Sequence, residues 1–179
     1  TGTNGKSSIA DFYYQILDLN NKKVASIGTL GIKSKKYKKN LSNTTIDPIQ
    51  LSKILNKLKK QNINNIIMEA SSHGLSQNRL DGLLFNTGIF TNLSQDHLDY
   101  HKNLKHYLKA KLYLFRKLIR KKGNVITDSK IPEFNQIKKI AKKKFLELNT
   151  IEGKNEKFKI STHSFQDESQ ILKIKHKNI

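Results

Sequence analysis

Short apolar clusters alternate along the chain with longer amphipathic segments. The apolar clusters are typical of buried strands bounded by turn residues, and they lie at residues 24–28, 65–70, 88–93 and 123–127. The amphipathic segments predict helices at residues 7–19, 104–119 and 137–144, and at the stripe of Leu51, Ile54, Leu55 and Leu58. Either Thr45 or Asp47 can cap that stripe's helix, with Pro48 in its first turn. This order predicts an α/β fold in which a mostly parallel sheet carries helices on both faces.

The regular pattern is interrupted twice. A lysine-rich polar segment runs from the end of the first apolar cluster through Asn40. After about Asn149 the pattern loosens into short polar segments, with one alternating stretch at 171–174. The chain begins at Thr1, inside a motif, and stops at Ile179 without a closing element, so we expect it to be truncated at both ends.

Composition narrows the class of protein. The 179 residues suffice for one domain with a hydrophobic core. No apolar stretch approaches the roughly 18 residues that a membrane span needs, so no membrane insertion is expected. The chain has no cysteine, which excludes disulfides, thiol nucleophiles and thiolate metal sites and permits a reducing compartment.

The formal net charge is +20, from 34 basic and 14 acidic residues. Such a surface attracts phosphates, nucleic acid or anionic membranes. However, only three of the basic residues are arginine, the side chain that nucleic-acid sites favour. Lysine, asparagine and isoleucine have A/T-rich codons, so biased base composition explains much of this charge, and we expect no specific nucleic-acid partner.

A glycine-containing loop opens the first predicted helix. Its backbone amides and the helix N-terminus can bind an anion, a lysine can reach terminal phosphates and a serine hydroxyl can ligate Mg²⁺. The residues are Gly2, Thr3, Asn4, Gly5, Lys6, Ser7 and Ser8. This short GxxGK[ST] pattern predicts a P-loop-type nucleotide site, and an ordinary helix N-cap is the alternative.

Polar residues also follow the strands predicted at 65–70 and 88–93. Glu69, at the end of the first, is placed to ligate Mg²⁺ beside a phosphate loop. Downstream, Ser71, Gln77 and Arg79 offer donors for a carboxylate or phosphate, and His73 can equally satisfy the backbone. The second strand leads into 96–101, whose two histidines and two aspartates suit a metal, acid–base chemistry or a structural pair.

Lys111 falls on the apolar stripe of the helix predicted at 104–119. The stripe consists of Leu104, Tyr107, Leu108, Leu112, Phe115 and Leu118. A lysine at such a position either extends its amine to water or becomes a desolvated amine that can be neutral.

Together these segments resemble the Mur ligases, ATP-dependent amide-forming enzymes of peptidoglycan precursor synthesis. The resemblance rests on residues 1–7, 43–48, 69–79, 92–101 and 110–115, and within the family it is strongest to the enzymes that add the third peptide residue. Ser7 and Ser8 stand where threonines are usual, and Ile46 replaces a common proline. The resemblance implies that residues 1–150 are the ATP-binding central domain without its first strand, and that 151–179 are an incomplete continuation.

The resemblance also implies a role for each matching residue. Gly2 to Ser8 would bind ATP, with Lys6 catalytic. Ser7 and Glu69 would hold one Mg²⁺, while His97 and a carbamylated Lys111 would act in catalysis and bind metal. The residues implied to contact UDP-N-acetylmuramoyl-dipeptide are Asn43, Thr44, Thr45, Ser71, Gln77 and Arg79.

The activity implied is transfer of phosphate from ATP to the D-Glu carboxylate, followed by attack of an amino acid amine on the acyl phosphate. The amino acid would be diaminopimelate or lysine, the location cytoplasmic, and the cofactor Mg²⁺. The remaining N- and C-terminal domains would complete the enzyme, so we expect this chain to be inactive by itself. The alternatives are another ligase of the superfamily, such as a folylpolyglutamate synthetase, and a basic nucleic-acid-binding domain.

Overall fold

The computed structural model describes residues 1–151, 158–166 and 169–176. The chain divides into two compact units. The larger unit comprises Thr1–Leu84 and Thr91–Leu118, and the smaller comprises Phe85–Phe90 and Ile119–Ile179.

The larger unit contains a four-stranded sheet with the order β3-β2-β1-β4. Its strands are β1 Val24–Gly28, β2 Gly31–Lys33, β3 Lys38–Lys39 and β4 Asn65–Met68. β1 is buried along its whole length and pairs in parallel with β4, which confirms two predicted strands. The predicted β4 is two residues too long, because the chain turns after Glu69, whose N–H still bonds the Ile27 carbonyl.

The antiparallel pairing of β1, β2 and β3 was not predicted from the sequence. β2 and β3 are not apparent from the sequence because they lie in the lysine-rich segment, where only Ile32 supplies a large buried side chain. Gly31 closes the turn with a φ of 82°, in the left-handed region that glycine adopts most readily.

Five helices belong to the larger unit. They are α1 Lys6–Leu19, α2 Pro48–Lys60, α3 Ser72–Ser76, α4 Leu98–His101 and α5 Leu104–Tyr113. α1 packs against β1 and β4, and α3 packs against α5. The cap of α2 is Asp47, which accepts hydrogen bonds from the N–H groups of Ile49 and Gln50.

The long helix predicted at 104–119 is divided in the structure. α5 ends at Tyr113 and continues as a π-helical turn, Leu114–Leu118, after which Ile119 begins a strand. The predicted stripe is buried at Tyr107, Lys111, Leu112, Phe115 and Leu118. Leu104 is 45% exposed, because it lies in the first turn of α5.

The smaller unit contains a parallel sheet with the order β5-β6-β7. Its strands are β5 Phe85–Phe90, β6 Ile119–Asp128 and β7 Glu147–Ile151, and α6 Phe134–Lys144 packs against β6 and β7. β5 begins and ends three residues earlier than predicted, because the Thr91 N–H bonds the Thr1 carbonyl.

The last described residues of the smaller unit form an antiparallel pair, β8 Phe158–Gln166 and β9 Ser169–His176. The alternating stretch predicted at 171–174 lies in β9. Three of the pairings among the described strands are parallel, so the predicted α/β class and parallel sheet with flanking helices are confirmed. Within the described residues, no helix combines the length and the apolar character that a membrane crossing requires.

Candidate functional site

Hydrogen bonds fix the glycine-containing loop to the segment after β5. The Thr3 N–H donates to the Asn92 carbonyl at 3.0 Å, and the Asn4 N–H donates to Asn92 Oδ1 at 2.9 Å. Gly2 lies so close to this segment that a Cβ there would collide with Thr91 Oγ1. Gly5 has a φ of 79° and caps α1 without a side chain. The first amides of α1 thus stand behind a loop of fixed shape, as anion binding requires.

Lys6, the first residue of α1, folds back over this loop. Its Nζ donates to the Gly2 carbonyl at 3.0 Å and to the Thr3 carbonyl at 2.7 Å. Partial burial lowers its pKa, while the carboxylate of Glu69 acts in the opposite direction. The loop therefore holds a lysine amine beside its own carbonyls, where an incoming phosphate could take their place.

Glu69, just beyond β4, connects three segments of the larger unit. It is only 4% exposed. Ser7 Oγ donates to its Oε2 at 2.9 Å, the Thr29 N–H donates to its Oε1 at 2.8 Å, and Thr29 Oγ1 donates to Oε2 at 3.2 Å. A Cβ on Gly28 would collide with this carboxylate, so a glycine is needed there. The predicted pair of Ser7 and Glu69 is thus brought into direct contact.

The donor set at Ser7 and Glu69 suits Mg²⁺, which prefers oxygen ligands and retains water and phosphate oxygens in its shell. Among the residues that the structure describes, no group of three His, Asp or Glu side chains is arranged to hold a metal. The protein therefore offers one carboxylate and one hydroxyl here, which fits an ion that completes its shell with nucleotide phosphate and water.

Lys111 lies deep in the larger unit, with only 1% of its surface exposed. Its Nζ donates to the Gly2 carbonyl at 2.7 Å and lies 4.1 Å from the centre of the Tyr107 ring. Burial, and next the positive charge of Lys6, lowers the pKa of this amine from 10.5 to about 7. A large share of the lysine is therefore neutral at physiological pH, as the desolvated-amine interpretation requires.

Five aromatic rings form a cluster beside Lys111, made of His73, His97, Tyr100, His101 and Tyr107. His73 lies at its centre, with ring-centroid distances of 4.9 Å to His97, 4.2 Å to Tyr100 and 5.5 Å to His101. Burial, and next the charge of a neighbouring histidine, lowers the pKa of both His73 and His101. These two rings are therefore held mainly neutral near pH 7.

His97 has a φ of 50°, a left-handed conformation that is uncommon outside glycine. Its N–H donates to Asp96 Oδ1 at 2.8 Å, and its Nε2 lies 3.4 Å from Asp96 Oδ2. Among the described contacts none joins His97 to Ser7, Glu69 or Lys111. The structure thus places His97 within the ring cluster, 6.1 Å between centroids from Tyr107, whose ring also contacts the Lys111 amine.

The predicted substrate residues fall into two groups. Thr45, Ser71 and Arg79 form one connected unit: Arg79 Nη1 donates to the Thr45 carbonyl at 2.6 Å, and the Ser71 N–H donates to Thr45 Oγ1 at 2.9 Å. Thr45 Oγ1 also donates to the Glu69 carbonyl at 3.0 Å. Thr45 is 3% exposed, so its hydroxyl is used inside the protein.

The second group is more accessible. Thr44 Oγ1 lies 3.0 Å from Thr29 Oγ1, and Gln77 Nε2 donates to the Tyr100 hydroxyl at 3.2 Å. Asn43 is exposed and bonds the neighbouring Ser42 hydroxyl at 3.4 Å. These three side chains can turn toward a ligand without breaking a buried contact.

Two residues of the site were not identified from the sequence as functional. Thr29 orients Glu69, and its only signal is its position directly after the buried strand β1. Tyr107 was expected only as core, yet its hydroxyl lies 3.3 Å from Thr3 Oγ1 and its ring faces the Lys111 amine. An open groove of about 470 Å³, lined by α3, α4 and α5 residues including Tyr100 and His101, also escaped prediction.

Comparisons with known proteins identify the family of this chain. The family model of the Mur ligase middle domain matches residues 1–179. The chain belongs to this family. It is 47% identical over 140 residues to a UDP-N-acetylmuramoyl-L-alanyl-D-glutamate--2,6-diaminopimelate ligase of Wigglesworthia glossinidia brevipalpis, covering 78% of this chain and 28% of that protein. It is 36% identical to the protein of that name from Chelativorans sp., covering 100% of this chain and 37% of the other.

Solved structures agree with this assignment. A structure of a UDP-N-acetylmuramoyl-L-alanyl-D-glutamate--2,6-diaminopimelate ligase matches with a TM-score of 0.80 at 26% identity, over 97% of this chain and 35% of that chain. The MurF ligase from Thermotoga maritima in complex with ADP matches with a TM-score of 0.63 at 11% identity, over 97% of this chain and 36% of that one, and shows the shared fold. As a Mur ligase middle domain, the chain spans 28–37% of the length of the curated relatives described here.

Proposed function

We propose that this chain is the ATP-binding central part of a ligase that joins 2,6-diaminopimelate to UDP-N-acetylmuramoyl-L-alanyl-D-glutamate. The relatives named above carry that activity in their names, and the contacts among the glycine-containing loop, Glu69 and Lys111 of this chain support the proposal. The ligase would act in the cytoplasm and would need further N- and C-terminal domains, which bind the nucleotide precursor and the amino acid.

The observation that carries the proposal is the meeting of three groups at one loop. The Gly2 carbonyl accepts hydrogen bonds from Lys6 and Lys111, while Ser7, one residue after Lys6, bonds Glu69. The residues of one loop thereby contact both a buried carboxylate and a buried lysine amine whose pKa is lowered to about 7.

ATP would bind with its phosphates against the loop amides and the start of α1, which point partial positive charge at them. Lys6 would exchange its bonds to the Gly2 and Thr3 carbonyls for bonds to the terminal phosphate. Because phosphoryl transfer depends mainly on positioning and charge neutralisation, this exchange places the charge where it is needed.

Ser7 and Glu69 would hold one Mg²⁺, and His97 and the modified Lys111 would contribute to a second. When bound, Mg²⁺ would neutralise phosphate charge and help to align the transferred group. The Lys111 amine, when neutral, can attack CO₂ with its lone pair. An N–C bond forms, a proton is released, and the product is a carbamate that adds a carboxylate-like ligand.

The substrate carboxylate would attack the terminal phosphorus of ATP, giving an acyl phosphate and ADP. The amine of diaminopimelate would then attack the acyl carbon and expel phosphate, leaving an amide. Arg79 and Ser71 would orient the dipeptide. Thr45 would hold both of them in position through its hydrogen bonds to the Arg79 guanidinium and the Ser71 N–H. Asn43, Thr44 and Gln77 would contact it directly, since they are free to turn.

The test is mass spectrometry of the full-length ligase incubated with ATP, Mg²⁺, bicarbonate, UDP-N-acetylmuramoyl-L-Ala-D-Glu and a mixture of diaminopimelate and lysine. We expect the precursor to gain the mass of diaminopimelate less one water, with ADP formed in equal amount. A lysine adduct would correct the amino acid, and the absence of any adduct from folded protein would reject the proposal.

Lys111→Ala provides a site-specific test, with Lys109→Ala as its matched control on an exposed position of the same helix. We expect the first to abolish amide formation and the second to leave it unchanged. Equal activity in both variants would remove Lys111 from the reaction.

A further inference from the structure

One edge of the smaller unit concentrates positive charge. This basic edge is formed by Arg120, Lys121, Lys122, Lys138, Lys139, Lys142, Lys143, Lys144 and Phe145, all of which are exposed. Five of the seven residues from 138 to 144 are lysine, a local density well above that of the chain as a whole. Glu147, two residues after Phe145, is the nearest carboxylate in the sequence.

The first part of the basic edge is pushed out of the sheet by a register shift. Phe85 pairs with Ile119 and Thr87 with Asn124, so four residues of β6 lie opposite the single residue Asn86. Residues 120–122 therefore leave the ladder with their side chains in solvent. The chain returns at Gly123, where a Cβ would collide with Ile119 and with two backbone oxygens.

The second part is the exposed face of α6. Lys138 and Lys142 lie four residues apart, as do Lys139 and Lys143, so the four share one side of the helix. The opposite side carries the buried Ile137. A backbone hydrogen bond of 3.2 Å from the Lys122 N–H to the Phe145 carbonyl joins the two parts.

Phe145 ends α6 with a φ of 54°, and its side chain is 78% exposed. Its N–H and the Leu146 N–H bond the Lys142 and Ala141 carbonyls, which is the closing pattern that usually carries glycine. A phenylalanine there is unfavourable both for the backbone and for its contact with water. Its presence among lysines is explained if the ring has another environment to enter.

We propose that the basic edge docks on the anionic phospholipid surface of a membrane, with Phe145 entering the headgroup region. Clustered lysines bind such surfaces, and an aromatic side chain among them adds apolar anchoring. Seven of the eight cations are lysine and a single aromatic ring is present. Single-stranded RNA sites instead favour arginine and several stacking rings, so a lipid surface fits better. The basic edge also lies at the amino ends of β6 and β7, away from the carboxyl ends where α/β sheets bind ligands.

The test is co-sedimentation of the full-length protein with vesicles of phosphatidylcholine containing about a third phosphatidylglycerol, near 0.1 M salt, where a Debye length is about 10 Å. We expect Lys138, Lys139, Lys142 and Lys143 changed together to Gln to weaken binding on the order of a hundredfold. The matched control changes Lys36, Lys53, Lys59 and Lys60 to Gln, four exposed lysines of the larger unit, and should weaken binding only severalfold.

The Phe145→Gly variant distinguishes a loss of membrane docking from a loss of folding stability. Glycine relieves the left-handed backbone, so the thermal midpoint should hold or rise, while vesicle binding should fall about fivefold. A merely structural role of Phe145 would not lower binding while the protein became more stable.

Equal loss of vesicle binding in the two lysine variants would overturn the proposal, because net charge alone would then account for it. It would also be overturned if the basic-edge variant kept vesicle binding and lost binding to single-stranded RNA. Retention of binding in Phe145→Gly would reject the insertion of the ring.

Discussion

The Lys111 amine lies on the inner side of α5, 2.7 Å from a backbone carbonyl and over the face of Tyr107. Burial removes water from the charged form, so the neutral form gains relative weight. This loss of water leaves more of the amine in its neutral, nucleophilic form. It also means that protonating the amine lowers the stability of the folded state. Reactivity and instability at this position therefore have one physical origin.

Lys111 should make stability depend on pH. Its pKa is about 7 in the folded chain and 10.5 ordinarily, so between these values the unfolded chain binds a proton that the folded chain does not. Stability should therefore rise with pH across this window, by up to roughly 1.4 kcal/mol per pH unit. Urea unfolding of the wild type and of Lys111→Met at pH 7 and pH 9 measures the effect. The methionine variant should lose most of this rise, and a rise of equal size in both would contradict the assignment.

Glu69→Gln removes the carboxylate charge but keeps the size of the side chain. The carbonyl oxygen of glutamine can still accept from the Thr29 N–H, and its amide N–H groups can donate to the Ser7 and Thr29 hydroxyls, so the unfolding midpoint should change little. Loss of the carboxylate charge should lower phosphate release on the order of a hundredfold. Asp47→Asn is the control, because it removes one carboxylate charge while keeping a helix cap, and it should leave phosphate release unchanged. Unimpaired phosphate release in Glu69→Gln would refute the metal-ligand role.

Among the candidate site residues, the sequence predicted positions in the fold best where periodicity constrained them. Lys111 follows from its place on the α5 stripe, and Glu69 from its place at a strand end. The role of Thr29 could not be predicted, because its partner is 40 residues away and only the parallel pairing of β1 and β4 brings them together. His97 stays a prediction as a metal ligand, since its contacts in this structure are to Asp96 and the ring cluster.

At the scale of elements, the cap of α2 shows how a tertiary contact selects between two local signals. Thr45 and Asp47 both precede the helix, and both residue types cap well. Asp47 takes the role because the Thr45 hydroxyl is already bonded to Ser71 and Glu69. The choice between them depended on a tertiary contact and could not be made from the local sequence.

Asp47→Ala should destabilise the protein by about 1 kcal/mol, since the Ile49 and Gln50 N–H groups lose their acceptor. Asp47→Asn should cost no more than a few tenths of a kcal/mol. Equilibrium urea unfolding measures both values. A cost for alanine equal to that for asparagine would show that water replaces the cap.

Strand boundaries were harder to predict than strand positions. β1 follows directly from its continuous apolar run. β5 and β6 differ from prediction because Thr91 leaves the ladder to bond Thr1, and because four residues of β6 bulge opposite one. Such pairings join residues far apart in the sequence. The hydrophobic periodicity of one segment carries no information about its pairing with a distant segment.

For the whole molecule, the net charge of +20 predicts non-specific attraction to any polyanion. Binding of the full-length protein to a labelled single-stranded RNA should weaken at least about tenfold between 50 and 200 mM salt, as counterion release requires. Lys6→Ala should leave this binding unchanged and abolish binding of ATP. Fluorescence anisotropy measures both. Sequence-selective RNA binding that persists at high salt would instead support a nucleic-acid function.

The Gly2 carbonyl accepts from two lysine amines, and an oxygen of this kind has two lone pairs. Both lone pairs therefore accept a hydrogen bond. A ligand that removes one amine from this oxygen changes the strength of the hydrogen bond from the other amine. If ATP binds Lys6 and CO₂ reacts with Lys111, the two events share a coupling free energy. Reciprocity then requires that bicarbonate change the affinity for ATP by the same factor by which ATP changes the uptake of CO₂. Dissolved CO₂ would in that case change the affinity for ATP through a single backbone oxygen.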